Sequence, residues 1–221
     1  MNCNHTVGST CMKFSTDKFI VDLGVRYPAL FDTVPKIHEA VEMIIGCYSN
    51  DGKLLVCGNG GSAADALHIV GELMKSFGKT RNLNIDLPIL SQDSAYINSH
   101  LHEALPAISL VSETSLITAY SNDVAADLVF AQQVYGYGRR GDVLLAISTS
   151  GDSANVVFAC EVAKARELYV IALTGNTGGR LSGFSDICIN VPGTESFTIQ
   201  ELHVPVYHAI CLAVENEFFG E

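Results

Sequence analysis

Four groups of residues in this chain have types and spacings that can do chemistry. The first is Gly58-Asn59-Gly60-Gly61-Ser62. Its glycines let backbone amides approach an anion closely, and Ser62 adds a hydroxyl. The spacing fits neither a Walker loop nor the dinucleotide-binding fingerprint. Taken alone, the run is equally a tight turn from strand to helix. The second group, 148–153, sets the hydroxyls of Ser148, Thr149, Ser150 and Ser153 around Gly151. A helix cap needs one such oxygen. Four suit a phosphate, which takes hydrogen bonds from hydroxyls and amides without lysine or arginine. Asp152 must then point away from the loop's mouth. A third glycine-rich stretch, 174–179, reads as a turn.

The remaining two groups are pairs. His68 and Glu72 are four apart, one turn along one helix face. Gln200 and His208 are eight apart, about two turns along one stripe. Singly, each is an ordinary polar group at a helix-packing surface. Together they offer two imidazoles, a carboxylate and an amide oxygen, a set that can bind zinc or run acid–base chemistry. Beside two phosphate loops, they point to a site. Cys3, His5 and Cys11 are also metal-ligand types. No fourth ligand with zinc spacing follows them, and their polar surroundings read as a loose tail over 1–16.

These residues must be positioned by the elements between them. Short runs apolar on both faces occur at 53–57, 107–111, 142–147, 169–174 and 186–191, as in strands of a covered parallel sheet. Helical patterns separate most of them, at 63–76, 124–136, 154–167 and 198–218. Strands alternating with helices predict a three-layer α/β domain with about five parallel strands. Both candidate loops then fall at carboxyl ends of strands, where ligands bind in open α/β sheets. Upstream, 17–51 reads as helical. Phe31, Val34, Ile37, Val41, Ile44 and Tyr48 share one face, and Pro28 and Pro35 mark a break and a helix start. Pro205 should kink the last helix or mark its true start. Residues 78–106 show no firm period and read as an insert or lid, with a helix within 90–105 and with His100 and His102 as surface histidines.

Composition narrows the partners. The 221 residues include 48% hydrophobic and 17% charged types, an ordinary globular balance. One domain over 17–221 can bury a full core. A net charge of −11 makes nucleic acid a poor partner. An anionic ligand must be held by locally built groups, against the overall field. The seven cysteines are scattered without a C-x-x-C and read as reduced thiols. With no signal pattern and no apolar run near the length of a membrane span, the cytoplasm is the expected compartment and no membrane contact is expected.

The combination Gly58-Asn59-Gly60-Gly61-Ser62, His68-x-x-x-Glu72, Ser148-Thr149-Ser150-Gly151-x-Ser153 and Gln200-Glu201-x-His203-x-x-x-x-His208 resembles the sugar isomerase (SIS) domain. Within it, the pattern is similar to the phosphoheptose isomerase branch, from about residue 17 to the C-terminus. The resemblance implies a five-stranded sheet of flavodoxin-like (Rossmann-like) topology and a homotetramer with sites at subunit interfaces. It implies aldose–ketose isomerisation of sedoheptulose 7-phosphate through an enediol. Glu72 would move the proton between C1 and C2, and His208 would serve the oxygens. Asn59, Gly60, Gly61, Ser62, Ser148, Thr149, Ser150, Ser153 and Gln200 would hold the sugar phosphate. Some members carry zinc on the residues matching His68, Glu72, Gln200 and His208. The chain departs from the branch in a longer 78–106 stretch. It also has Phe197 three residues before the glutamine, where the branch has an aspartate, so a changed sugar pocket is expected. Two other readings stay open. One is a non-catalytic SIS regulator, disfavoured by retention of Glu72 and His208; the other is an isomerase of a different ketose phosphate.

Overall fold

A computed structural model describes residues 14–83 and 87–220. Cys3, His5 and Cys11 lie outside them. Of the stretch 1–16 expected as a loose tail, residues 1–13 lie outside the described residues, and 14–16 are helical. Helix α1 (Phe14–Arg26) already includes Thr16, which is fully buried and whose hydroxyl donates to Glu217 Oε2 at 2.8 Å. Pro28 opens a 3₁₀ turn (Pro28–Thr33), and Pro35 sits in the first turn of α2 (Val34–Tyr48). Both prolines occupy positions where a missing N–H costs nothing. Ile37, Val41, Ile44 and Tyr48 form the buried face of α2. Phe31 does not join them. It lies in the 3₁₀ turn, 70% exposed, because the turn breaks the helical period before Val34.

The chain then alternates strands and helices. In order come β1 (Leu54–Gly58), α3 (Gly61–Met74), α4 (Ser94–His100), β2 (Ala107–Ser109), α5 (Thr114–Tyr120), α6 (Val129–Tyr137), β3 (Val143–Ser148), α7 (Ala154–Ala165), β4 (Tyr169–Thr174), β5 (Ile187–Asn190) and α8 (Ser196–Phe219). The sheet order is β2-β1-β3-β4-β5, with every pairing parallel. This is the flavodoxin-like order, whose switch point falls between β1 and β3. Alternate strand residues feed two cores. Leu54, Val56, Leu145, Ile147, Ile171 and Leu173 pack against α1, α2, α3 and α8. Leu55, Cys57, Leu144, Ala146, Val170 and Ala172 pack against α6 and α7. The buried thiols behave as small hydrophobes: burial pushes Cys47 up to about 11 and Cys160 up to about 12. Among the described residues no helix is long and apolar enough to cross a membrane.

Two helical expectations differ in detail. The helix expected over 124–136 is split. A π-turn (Ser121–Ala125) and a 3₁₀ turn (Ala126–Leu128) join α5 to α6. The last helix neither starts nor stops at Pro205; it is assigned as helix throughout. Proline removes the N–H that would bond the Glu201 carbonyl, a cost of about 3 kcal/mol. Burial of Val206, Tyr207, Ile210 and Val214 on one side and Ile199 on the other outweighs it, at roughly 1.5–3 kcal/mol per large side chain.

The start of the 78–106 stretch is tied to the end of α8. The Glu215 carboxylate accepts the backbone N–H groups of Phe77, Gly78 and Lys79 at 2.8, 2.6 and 3.0 Å, and Arg81 Nε at 2.7 Å. Arg81 in turn donates to the Leu73 and Glu72 carbonyls at 2.6 and 3.1 Å, closing the C-terminal end of α3. Its guanidinium lies 4.9 Å from the centroid of the Phe219 ring. Farther along, α4 falls within the expected 90–105 window and buries no residue.

A buried pair broken on one side leaves an uncompensated charge. Glu215→Ala should therefore lower stability by about 3–5 kcal/mol, read from urea-unfolding midpoints. A loss below about 1 kcal/mol, the range of a surface pair, would contradict the clamp.

Candidate active site

Three helices begin at the carboxyl edge of the sheet, and none has a side-chain cap. Gly60 precedes α3 with φ 55°, a left-handed conformation that favours glycine. Ser153 precedes α7, and Glu195 precedes α8. Uncapped N-termini leave amides free for an anion. The loops are locked to one another. Asn59 Nδ2 donates to Asn155 Oδ1 at 2.8 Å, and Asn155 Nδ2 returns a bond to Asn59 Oδ1 at 2.9 Å, across the β1/β3 switch point. Ser62 is buried in the first turn of α3.

In the hydroxyl loop, Ser148 Oγ and Ser153 Oγ are 3.1 Å apart, so Ser153 is spent on the loop rather than on capping α7. Thr149 Oγ1 meets Ser196 Oγ of α8 at 3.2 Å. Ser150 Oγ accepts the Asp152 N–H at 3.1 Å, which leaves its own proton available. The Asp152 carboxylate is engaged by the Arg180 N–H at 2.9 Å. It is thereby drawn toward the 3₁₀ turn at Gly179–Gly183, as phosphate binding requires. The glycine stretch 174–179 is more than a turn, because it buttresses this loop. Gly175 N donates to Thr149 O at 3.0 Å, and a Cβ on Gly151 would fall 2.0 Å from Gly178 O. Two backbones pass where no side chain fits.

The two helical pairs meet across α3 and α8. His68 Nε2 lies 3.1 Å from Glu72 Oε1, and the rings of His68 and His208 meet edge-on at 5.1 Å between centroids. Tyr207 and Phe77 complete the wall around His208, at 4.9 and 5.7 Å. Burial, and then the neighbouring His68, lower the pKa of His208, opposed by Glu72, so its imidazole favours the neutral form. Glu72 Oε2 and His208 Nε2 are buried without hydrogen-bond partners, and Lys75 Nζ pairs with that carboxylate oxygen at 3.6 Å. Buried polar atoms without a hydrogen bond call for an explanation by ligand, ion or chemistry.

Gln200 stands apart from this centre. Its amide packs on Gly61, where a Cβ would fall 2.6 Å from Nε2. From there to His208 is eight residues of helix, about 12 Å. His68, Glu72 and His208 are donor types that zinc accepts, but both His68 nitrogens are engaged by Tyr207 and Glu72, while Gln200 lies at the start of the helices, against Gly61. Among the described residues no group of three His, Cys, Asp or Glu side chains is arranged to hold a metal ion.

The sequence reading passed over Asp65 and Tyr207. Tyr207 Oη lies 3.0 Å from His68 Nδ1. Burial raises the pKa of Asp65, and Tyr207 and His68 hold it back. The signal for Asp65 was available: it lies three residues before His68, on the face already singled out. Phe197, by contrast, is 63% exposed beside the hydroxyl loop.

With this geometry in view, the comparisons define first a class. The SIS domain family model matches residues 31–104 and 98–175. Phosphoheptose isomerase from Laribacter hongkongensis is 41% identical over 205 residues, covering 91% of this chain and 94% of the relative. The solved phosphoheptose isomerase from Neisseria gonorrhoeae superposes with a TM-score of 0.70 at 36% identity, covering 92% and 95% of the two chains. That from Francisella tularensis gives 0.71 at 33%, covering 92% and 100%. The chain belongs to the phosphoheptose isomerase family of SIS-domain proteins.

One buried group makes the site region sensitive to acid. His203, on α8, is fully buried, and burial pushes its pKa down to about 4 while the Thr174 carbonyl opposes. An unfolded histidine, near 6.5, binds a proton that the folded one refuses. Stability should therefore be full above pH ~6.5 and fall as pH drops toward ~4, by about 3 kcal/mol from this group. His203→Gln should flatten that part of the stability–pH curve. An unchanged slope in the variant would show that other groups carry it.

Proposed function

We propose that this chain interconverts sedoheptulose 7-phosphate and D-glycero-D-manno-heptose 7-phosphate through an enediol. The observation that carries the reading is the meeting of His68, Glu72 and His208 across α3 and α8, a few turns along the two helices whose starts lie beside the glycine and hydroxyl loops. His68 stands six residues along α3 from Ser62, about 9 Å of rise. A chain of six or seven carbons, with bonds of about 1.5 Å, spans that distance better than a triose does.

The residues divide the work. Ser62, Ser148, Thr149, Ser150 and Ser153, with the amides of Asn59, Gly60 and Gly61, hold the phosphate at the uncapped helix starts. Gln200 faces the sugar next to them. The free Glu72 oxygen lifts the weakly acidic C–H and returns the proton to the neighbouring carbon. His208, favouring the neutral form, exchanges protons with the C1 and C2 oxygens. A zinc ion, held by His68, Glu72 and His208, would supply Lewis-acid polarisation of the carbonyl when bound; a glutamate so engaged is a weaker base.

A second reading rests on Phe197. Exposed beside the hydroxyl loop, it offers an apolar contact where the branch pattern has an aspartate, which favours a different ketose phosphate. A screen of ketose phosphates for aldose formation separates the two. We also propose a homotetramer. The resemblance implies it, and exposed Val21, Val25 and Phe31 around an apolar cavity of ≈ 410 Å³ supply a surface that a second copy can cover. Sedimentation as a monomer at micromolar concentration would exclude it.

Glu72→Gln should keep the fold and phosphate affinity while lowering kcat by about 10²–10⁴, since an amide cannot act as the base. Ser150→Ala should leave kcat nearly unchanged and raise KM about tenfold, or ~1.4 kcal/mol. Parent-rate turnover by Glu72→Gln, or unaltered KM in Ser150→Ala, would place the base or the phosphate elsewhere.

A further inference from the structure

We propose that Asn155 is a positioning residue for phosphate binding: through the paired carboxamides of Asn155 and Asn59, it holds the glycine loop at a set spacing from the hydroxyl loop across the β1/β3 crevice. The inference rests on reading these two loops as the phosphate cradle. Neither the loop motifs nor the helical pairs drew attention to Asn155, which lies just past the hydroxyl run, second in α7.

The two loops are held unequally. The hydroxyl loop is braced from several sides. Ser148 Oγ meets Ser153 Oγ, Thr149 Oγ1 meets Ser196 Oγ, Asp152 accepts the Arg180 N–H, and Gly151 packs on the Gly178 backbone. The glycine loop is anchored only at its base, where Gly58 packs on Ser62 and Gly61 on the Gln200 amide. At its tip, Asn59 and Gly60 are exposed, and a Cβ on Gly60 would meet nothing within 4 Å. The helices behind the loops do not brace this tip against its neighbour, because α3 packs on one face of the sheet and α7 on the other. Beyond the strand ends, the Asn59–Asn155 bonds, at 2.8 and 2.9 Å, are the only hydrogen bonds among the described residues that join the glycine loop to the hydroxyl loop or to the first turn of α7.

A carboxamide has two N–H donors and one carbonyl acceptor. Each asparagine gives one N–H to the other's carbonyl, so the two side chains are joined at two points and cannot swing about a single bond. The pairing holds with both amides as placed or with both turned over. Turning one alone sets N–H against N–H and oxygen against oxygen. In either arrangement Asn59 keeps one N–H for a ligand, and Asn155 sets its direction. A phosphate entering between the loops then meets donors from both without either loop having to move, so the ordering is complete before binding. His68 lies seven residues along α3 from Gly61, about two turns, so the pair acts on affinity and not on proton transfer.

The test is a double-mutant cycle on the full-length chain with Asn59→Ala, Asn155→Ala and both together. Two probes are used: inorganic phosphate, whose Kd is read by ³¹P NMR, and sedoheptulose 7-phosphate, for KM and kcat. Asn155→Ala should weaken phosphate binding about fivefold, raise KM in parallel and leave kcat unchanged. A residue that only supported the fold would not split KM from kcat in this way. With Asn59 already alanine, removing Asn155 should change the phosphate Kd by less than about twofold, because its effect passes through Asn59. An Asn155→Ala protein with the parent's phosphate Kd overturns the proposal. So do losses that multiply in the double variant, which would make Asn155 an independent phosphate contact, and so does a fall in kcat at unchanged Kd. Phosphate binding is read without turnover. A coupled cycle in a chain that forms no aldose from the heptulose phosphate would refute the proposed reaction and leave the positioning role standing.

Discussion

The site depends on the way α3 lies against α8. The two helices start at the same edge of the sheet and run in the same direction, and three contacts along the seam fix their register. Gly61 admits the Gln200 amide at the start. His68 meets Tyr207 in the middle. Arg81 ties the Glu72 and Leu73 carbonyls to Glu215 at the far end. Because the register is fixed, the loops at the helix starts and the His68–Glu72–His208 cluster are held at a set distance. A one-turn slip, about 5.4 Å, would separate His208 from His68 and bring a side chain against Gly61. The buried ion pair therefore acts on geometry more than on net stability, since such pairs gain little over apolar packing when intact.

Electrostatics explains why the phosphate end is built from backbone and hydroxyls. The chain carries a formal charge of −11, and its fully buried guanidinium, Arg81, is committed to the clamp. An anion is drawn instead to three uncapped helix starts, each worth roughly 0.3–1 kcal/mol of dipole attraction. The Asp152 carboxylate is engaged by Arg180 N–H. At the other end stand the Glu72 carboxylate, paired with Lys75 at 3.6 Å, and His208. The proposed reaction asks for this division, because its substrate carries a phosphate at one end and an acidic C–H at the other.

Much of this was legible in the chain. Five apolar runs became five parallel strands, and both loops fell at strand ends, because period and glycine placement are local signals. His68 and Glu72 met because four residues make a turn. What escaped reading was set by tertiary contact. Phe31 matched the period of α2, yet a 3₁₀ turn ahead of Val34 took it out of the helix. Pro205 read as a kink or a true start, yet burial on both sides carried the helix through it. Gln200 and His208 shared a stripe, but only the packing of α3 showed that they lie against different parts of it, Gln200 on Gly61 and His208 on His68. Tyr207, adjacent in sequence to His208, meets His68 on another helix.

The most direct test is to incubate the protein with sedoheptulose 7-phosphate in D₂O and follow the sugar by ¹H and ³¹P NMR. The account predicts a heptose 7-phosphate aldose approaching equilibrium with the ketose, with solvent deuterium appearing at the carbon that Glu72 reprotonates and neither change in Glu72→Gln. Binding of the ketose phosphate with no aldose formed and no deuterium incorporated would contradict it.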